Sequence, residues 1–461
     1  MRAISGGHAF WYIESKAGRV LFDPVFEDPF EEGTVTACPS RTIEVSNLPE
    51  HDLLYLSHRH LDHFHLPTLK RLPKDKTVIA PADKLTLLSL KRLGFQDIRP
   101  MSPFEAHVLN KNGVTLRLIP TPSVSDTFLE YGLLVIEDVQ GEAPRVLFNQ
   151  VDTPLSDECI EKIKILAPDI DIHLAMFASQ DFGWFQAKES RISETYSQNL
   201  YAAMQLGAKL IVPAAAGFRF TDSYDHLNKL LFPIPRERFM EDIKNLCPKS
   251  TSVPINPGDV IVLEKQMRIE RQSVSYLGMK EDASHRLTHD PTTPVPPLKD
   301  RNEGGYPLQH LHLFAEHVIE KGFNAYLQGG ISTKDEKVME HCENNAILQL
   351  KVVFPDQTKE WNFIFKEDGY QLAKGPYPQA PDSIYKITSS ALIELCEGKK
   401  SCWAIRPETR RWSRLLAPRN TVVGLRTLEI ELSNLLNQFI LSLRIRMKGE
   451  ELALLEYYGL A

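Results

Sequence analysis

Four of the chain's 15 histidines fall within eight residues, at His58, His60, His63 and His65, with Asp62 among them. The stretch reads Ser57-His58-Arg59-His60-Leu61-Asp62-His63 and follows the apolar run Leu53-Leu54-Tyr55-Leu56. Neutral imidazoles and a carboxylate suit zinc, iron or manganese, and ligands this dense mark a metal site. The H-x-H-x-D-H spacing lets one loop serve two metals. His58 and His60 project the same way from a strand end, while Asp62 and His63 turn toward a neighbouring position. The plain alternative is a polar strand-to-helix loop with chance histidines, and the density of ligands argues against it.

The flanking segments read as the scaffold for that loop. Ala9–Ile13 and Arg19–Phe22 are short apolar strands joined by a turn at Ala17-Gly18, and Asp23-Pro24 ends the second. A short helix is expected over Leu66–Leu72, with Pro67 tolerated in its first turn. Thr77–Ala80 is a strand, and Ala82–Leu93 has the 3.6-residue period of a surface helix ending at Gly94. Asn112-Gly113 between apolar runs signals a hairpin. Further strands are expected over 129–136, 145–152, 170–177 and 209–213, with helices over 156–166 and 190–206. Alternation puts His173 on the same face as Asp171 and Ala175, and it reads as structural. This order describes a mixed α/β layered fold.

The ligand loop resembles the signature of the metallo-β-lactamase superfamily, whose members bind two metals at the rim of an αββα sandwich. The resemblance extends from about residue 5 to residue 264. Its closest likeness is to the metal-binding domain of the CMP-N-acetylneuraminate hydroxylase family. It rests on Leu54-Tyr55-Leu56-Ser57-His58 with the loop that follows, Pro67–Lys70, Asn149–Thr153, Ser179–Phe182 and Pro213–Phe218. It implies that His8 and Asp23 approach the metals from behind, and that Asp152 bridges the two cations. Where the superfamily supplies a third first-site histidine, this chain has none between His107 and His173. Asp126 is the expected replacement, against a reading as a turn-capping acid, with Glu130 as a competitor. The last superfamily histidine is also missing after Pro213, where Ala214-Ala215-Ala216-Gly217 stands, and His226 is the nearby candidate. The expected metal ligands are thus His58, His60, Asp62, His63, Asp126, Asp152 and His226. Asp62 and Asp181 are the expected catalytic acids, Asp181 lying in a polar and aromatic wall on the substrate side.

The chain has 461 residues, enough for two or three cores. Its net charge of −7 argues against general nucleic-acid binding, and no apolar run is long enough to span a membrane. Six scattered cysteines without a C-x-x-C pair fit reduced thiols in a cytoplasmic protein, and no Cys/His pair suits a Rieske cluster. Residues 265–308, with Pro291, Pro294, Pro296 and Pro297, read as an extended linker. Residues 309–461 read as a second, α+β domain resembling the sterol-carrier-protein-like fold, or as a plain dimerisation or cap domain. Its tail carries Arg406, Arg410, Arg411, Arg414, Arg419 and Arg426, which could hold an anionic or carrier-bound substrate or form a solvated face.

Two activities follow from the resemblance. One is a dinuclear oxygenase, with iron favoured over zinc or manganese because acids replace imidazoles, acting on a small organic substrate and drawing on an external electron donor. The other is a zinc hydrolase of an ester, lactone or phosphodiester. A degraded scaffold is the non-enzymatic alternative. Oligomeric state is not readable from the sequence.

Overall fold

The structure, a computed structural model, describes the chain apart from residues 125–128, 179, 182–191, 215, 414, 417–427 and 430–431. The described residues form two compact units, the first reaching Thr293 and the second beginning at Pro294.

The first unit is built on two sheets. One has eight strands in the spatial order Met267–Glu270, Val260–Leu263, Arg2–Gly7, Phe10–Ser15, Gly18–Phe22, Leu53–Tyr55, Thr77–Ala80, Asp97–Pro100. The other has seven, ordered Thr251–Ser252, Leu210–Ala214, Ile172–Met176, Arg145–Asn149, Tyr131–Val139, Val114–Pro122, His107–Lys111. Successive side chains of a strand point to opposite faces, and Tyr131–Val139 shows why its apolar run is unbroken. Leu133 and Val135 join Val20, Phe22, Leu118, Leu147 and Ile261 in a core drawn from both sheets. Leu134 and Ile136 instead pack with Ile160, Ile163, Ala203, Phe239 and Ile243 from the helices Asp157–Leu166, Ile192–Leu206 and Arg236–Leu246. The two sheets thus share one core, and helices cover the outer face of the seven-stranded sheet, in the layering expected from the sequence.

Local signals account for the element ends. Asp83 caps the helix Lys84–Arg92 by accepting from the Thr86 amide. Asn112 and Gly113 both take positive φ, 54° and 71°, as a two-residue hairpin turn requires.

The expected linker from 265 to 308 needs correcting over its first half. Met267–Glu270 pairs with Val260–Leu263 as an edge strand of the first sheet, and Leu277–Glu281 pairs with Ser40–Ile43. The alternation in Met267-Arg268-Ile269-Glu270 is strand patterning that the downstream prolines mask. The sandwich therefore does not close at 264.

The second unit has a five-stranded sheet ordered Gly369–Lys374, Thr358–Lys366, Ile347–Val353, Ser383–Thr388, Thr409–Ser413. Trp361, Phe363, Leu350 and Ile387 pack with Phe323, Leu392 and Phe439 from its helices. Arg406 donates to the Trp403 carbonyl and Arg410 to the Pro407 and Thr409 carbonyls, so these two arginines have local partners. Arg414, Arg419 and Arg426 lie outside the described residues. No helix among the described residues is long and apolar enough to cross a membrane.

Candidate metal centre

Side chains from strand ends of both sheets converge at one place. Leu53–Tyr55 lies between Gly18–Phe22 and Thr77–Ala80, parallel to both. Leaving that strand, the chain turns tightly: the His63 and Phe64 amides both donate to the His60 carbonyl, at 2.9 and 2.7 Å. Asp23 follows Gly18–Phe22, His8 follows Arg2–Gly7, and Asp152 follows Arg145–Asn149 of the other sheet. The Tyr131 amide donates to the Ser57 carbonyl at 3.2 Å and ties the second sheet to the loop.

Two groups with the spacing of metal ligands result: His58, His60 and Asp152, and His8, Asp62 and His63. In the first, His58 Nε2 is 2.8 Å from His60 Nδ1 and 4.0 Å from Asp152 Oδ2. In the second, His8 Nε2 is 3.0 Å from Asp62 Oδ2, and His63 Nε2 is 3.7 Å from that same oxygen. Asp152 Oδ2 also lies 3.2 Å from His63 Nε2, so one carboxylate reaches both groups.

A second layer of hydrogen bonds orients these rings. Asp23 is fully buried; its Oδ2 faces His63 Nδ1 at 2.8 Å and accepts from the Ser57 hydroxyl at 2.5 Å, while Oδ1 accepts from the Ser57 amide. The Ser57 oxygen in turn meets His58 Nδ1 at 2.9 Å. Both imidazoles thus have Nδ1 occupied and Nε2 turned toward the centre, the tautomer a metal ligand needs. The donor chemistry fits two divalent cations, each with two imidazoles and one carboxylate.

The electrostatics agree. Burial, with His63 and His60 alongside, holds the His58 pKa well below the usual imidazole value, so its nitrogen is unprotonated. Burial works against ionising Asp62, but the neighbouring His63 and His8 hold its pKa well below the carboxylate range. Burial likewise opposes charge on His63, yet Asp62 and Asp152 hold its pKa well above the usual value. Without a cation, then, the acids draw a proton onto His63. The backbone is strained at the same place: His8, Asp23 and Val151 take φ of 53°, 39° and 55°. Side chains tolerate that region only at a cost of about 1–3 kcal/mol each, a pattern found at functional sites.

The expected residues meet in part. His58, His60, Asp62, His63 and Asp152 come together. His226 does not: it sits in the short 3₁₀ helix Asp222–Leu227 and belongs to neither group. Asp181 also belongs to neither; its amide donates to the Leu231 carbonyl. Asp126 lies outside the described residues. His65 precedes the helix Leu66–Arg71 and bonds Thr68 Oγ1 at 2.8 Å. His8, expected behind the metals, takes a ligand position instead. Gly217 takes φ +143°, and a Cβ there would lie 2.9 Å from the Cys38 carbonyl oxygen, so glycine lets these two segments close together beside His8. Glu130 is buried near the centre, and burial together with the Asp152 charge pushes its pKa up to about 7.

Residues 5–125 match the family model described as a beta-lactamase superfamily domain. Over those residues the chain is similar to that superfamily, and the match stops short of the hydroxylase family. Over 243 residues the chain is 26% identical to a protein of Mycolicibacterium smegmatis named as a Rieske 2Fe-2S iron-sulfur protein. That alignment covers 48% of this chain and 45% of the relative, so the chain spans less than half of it. Among solved structures, the isothiocyanate hydrolase from Delia radicum gut bacteria superposes with a TM-score of 0.42 at 14% identity, covering 58% of this chain and 100% of that one. Sterol carrier protein 2 from Yarrowia lipolytica superposes with a TM-score of 0.18 at 20% identity, covering 22% of this chain and 81% of that one.

Proposed function

We propose that the first unit is a dinuclear metal-dependent enzyme, and that its metals are iron serving the oxidation of a small organic substrate. The observation that carries the dinuclear reading is the position of Asp152 Oδ2, 3.2 Å from His63 Nε2 and 4.0 Å from His58 Nε2. Iron is favoured because each group offers two histidines and one carboxylate, the set that non-haem iron oxygenases use with open positions for substrate and oxygen. The iron–sulfur name of the mycobacterial relative supports a redox setting.

Bound iron would supply dioxygen activation, with two electrons and two protons from outside so that RH and O₂ become ROH and water. The electrons would come from an external donor. The protein's part is orientation: Asp23 and Ser57 hold His63 and His58 by their Nδ1 atoms, and Asp152 keeps the two positions together. Glu130, with a pKa near neutrality, is placed to hold or release a proton beside Asp152.

The second reading is a zinc hydrolase, since two histidines and a carboxylate also hold catalytic zinc and bring a bound water's pKa near 7. Elemental analysis of protein purified without added metal separates the two. Two irons per chain, falling to one or none in Asp152→Asn, is the expected result. Two zincs with turnover of a generic ester would establish hydrolysis instead, and a folded protein that takes up neither metal would end both readings.

A further inference from the structure

Asp152 is the grouped ligand that the second sheet contributes, and it sits third in a four-residue turn. The Thr153 amide donates to the Gln150 carbonyl at 3.2 Å, and the Thr153 hydroxyl donates to the same oxygen. Val151, just before Asp152, takes φ 55° with its side chain buried in the core between the sheets. A β-branched residue adopts that conformation only where its surroundings impose it. Here the buried Gln150 side chain spans the turn. Its Nε2 donates to the Thr153 carbonyl at 3.0 Å. Its Oε1 accepts from the Met176 amide at 3.3 Å and from His173 Nε2 at 3.0 Å, both on the neighbouring strand Ile172–Met176. A backbone acceptor at one end and a backbone donor at the other fix which way round the amide lies. An amide oxygen only accepts, so His173 carries a proton on Nε2. The His173 ring is itself stacked on Phe148, with centroids 5.2 Å apart.

From this we infer that Gln150 is a positioning residue for Asp152, with His173 as its support, and that the pair decides whether the centre holds two linked cations or one. The inference rests on the reading of Asp152 as the carboxylate shared by both groups. Its Oδ2 lies 3.2 Å from His63 Nε2 and 4.0 Å from His58 Nε2. Metal–ligand distances tolerate a spread of only about 0.2 Å, so a turn free to relax cannot keep one carboxylate on two cations. Gln150 touches no cation itself; it ties the residue after Asp152 to a strand that cannot shift without disturbing the sheet.

The test uses the full chain, purified without added metal, with Mn(II) alone as the probe and electron paramagnetic resonance as the readout. Two ions sharing a carboxylate couple magnetically, and their spectrum differs from the resolved hyperfine signal of an isolated ion. The wild-type chain should take up two coupled ions, and Asp152→Asn should lose the coupling. Gln150→Leu keeps the volume but neither hydrogen-bonding end; it should lose the coupling too, with the second ion held about tenfold or more weakly. His173→Phe keeps a ring and removes only the donor, so it should weaken the second ion by a smaller factor. Val146→Ala, in the strand Arg145–Asn149 that leads into the turn, is the control for plain destabilisation. It should lower the urea midpoint and leave the coupling intact. A folded Gln150→Leu that binds two coupled ions at wild-type affinity overturns the inference, as does loss of coupling in Val146→Ala. Should Gln150→Leu not fold, Gln150→Asn decides by the same outcomes, its amide being one methylene too short to reach both partners. A wild-type chain that holds no coupled pair ends the dinuclear reading and this inference with it. Coupling lost in Asp152→Asn but kept in the Gln150 variants ends the inference alone.

Discussion

Asp23 illustrates how much of this centre depends on a residue that touches no cation. Its two oxygens receive the Ser57 amide, the Ser57 hydroxyl and His63 Nδ1. In Asp23→Asn an amide replaces one acceptor, so the His63 ring loses its anionic partner and its fixed tautomer. Metal affinity should drop by about 10–100-fold while the protein stays folded, as competition with a chromogenic chelator would measure. Unchanged affinity would show that His63 is oriented by something else. At this scale the loop ligands are legible because all four fall within six residues. His8 was harder to read, since a lone histidine after Gly6-Gly7 acquires meaning only when Asp62, 54 residues later, lies 3.0 Å away. Such a pairing leaves no local periodicity. His226 is near the vacant histidine position in sequence, yet it joins neither ligand group.

Among the elements, the buried strand Ile172–Met176 has a measurable liability. His173 is fully buried, bonds Gln150 Oε1 at 3.0 Å, and burial lowers its pKa to about 3. His51 is likewise lowered to about 4, chiefly by burial. Both stay neutral in the fold but bind a proton near pH 6.5 once unfolded. Between pH 6.5 and about 4 the unfolded state therefore holds more protons, and stability falls as pH falls. Urea midpoints should decline steadily across that window and level off above it. In His173→Gln the decline should be shallower, and an identical slope would remove His173 as a cause. Strand and helix positions were largely readable here because apolar periodicity reports burial directly, as with Thr77–Ala80, which the structure reproduces. The segment after Leu263 pairs as strand although its prolines suggest a linker, because proline content describes only its later part.

At the scale of the whole molecule, the two units hold separate cores: Trp361 and Phe439 belong to one, Phe22 and Leu147 to the other. All six grouped ligands belong to the first unit. A cation that binds only the folded form stabilises whatever it is bound to, by mass action. Chelation should therefore lower the unfolding temperature of one calorimetric transition and leave the other in place. Two transitions shifting together would show that the units unfold as one.

The ligands come from positions 8, 58 to 63 and 152 of the chain, and this order has a consequence for biosynthesis. A nascent polypeptide that has emerged only as far as its histidine-rich loop holds most of the grouped donors but lacks Asp152, the carboxylate within reach of both groups. The ribosome must deliver Asp152, and the second sheet must fold against the first, before both ligand groups are complete. Long-range closures of this kind come late in folding. A divalent metal therefore has to meet a nearly finished sandwich, and a shortage at that moment would yield folded but empty protein.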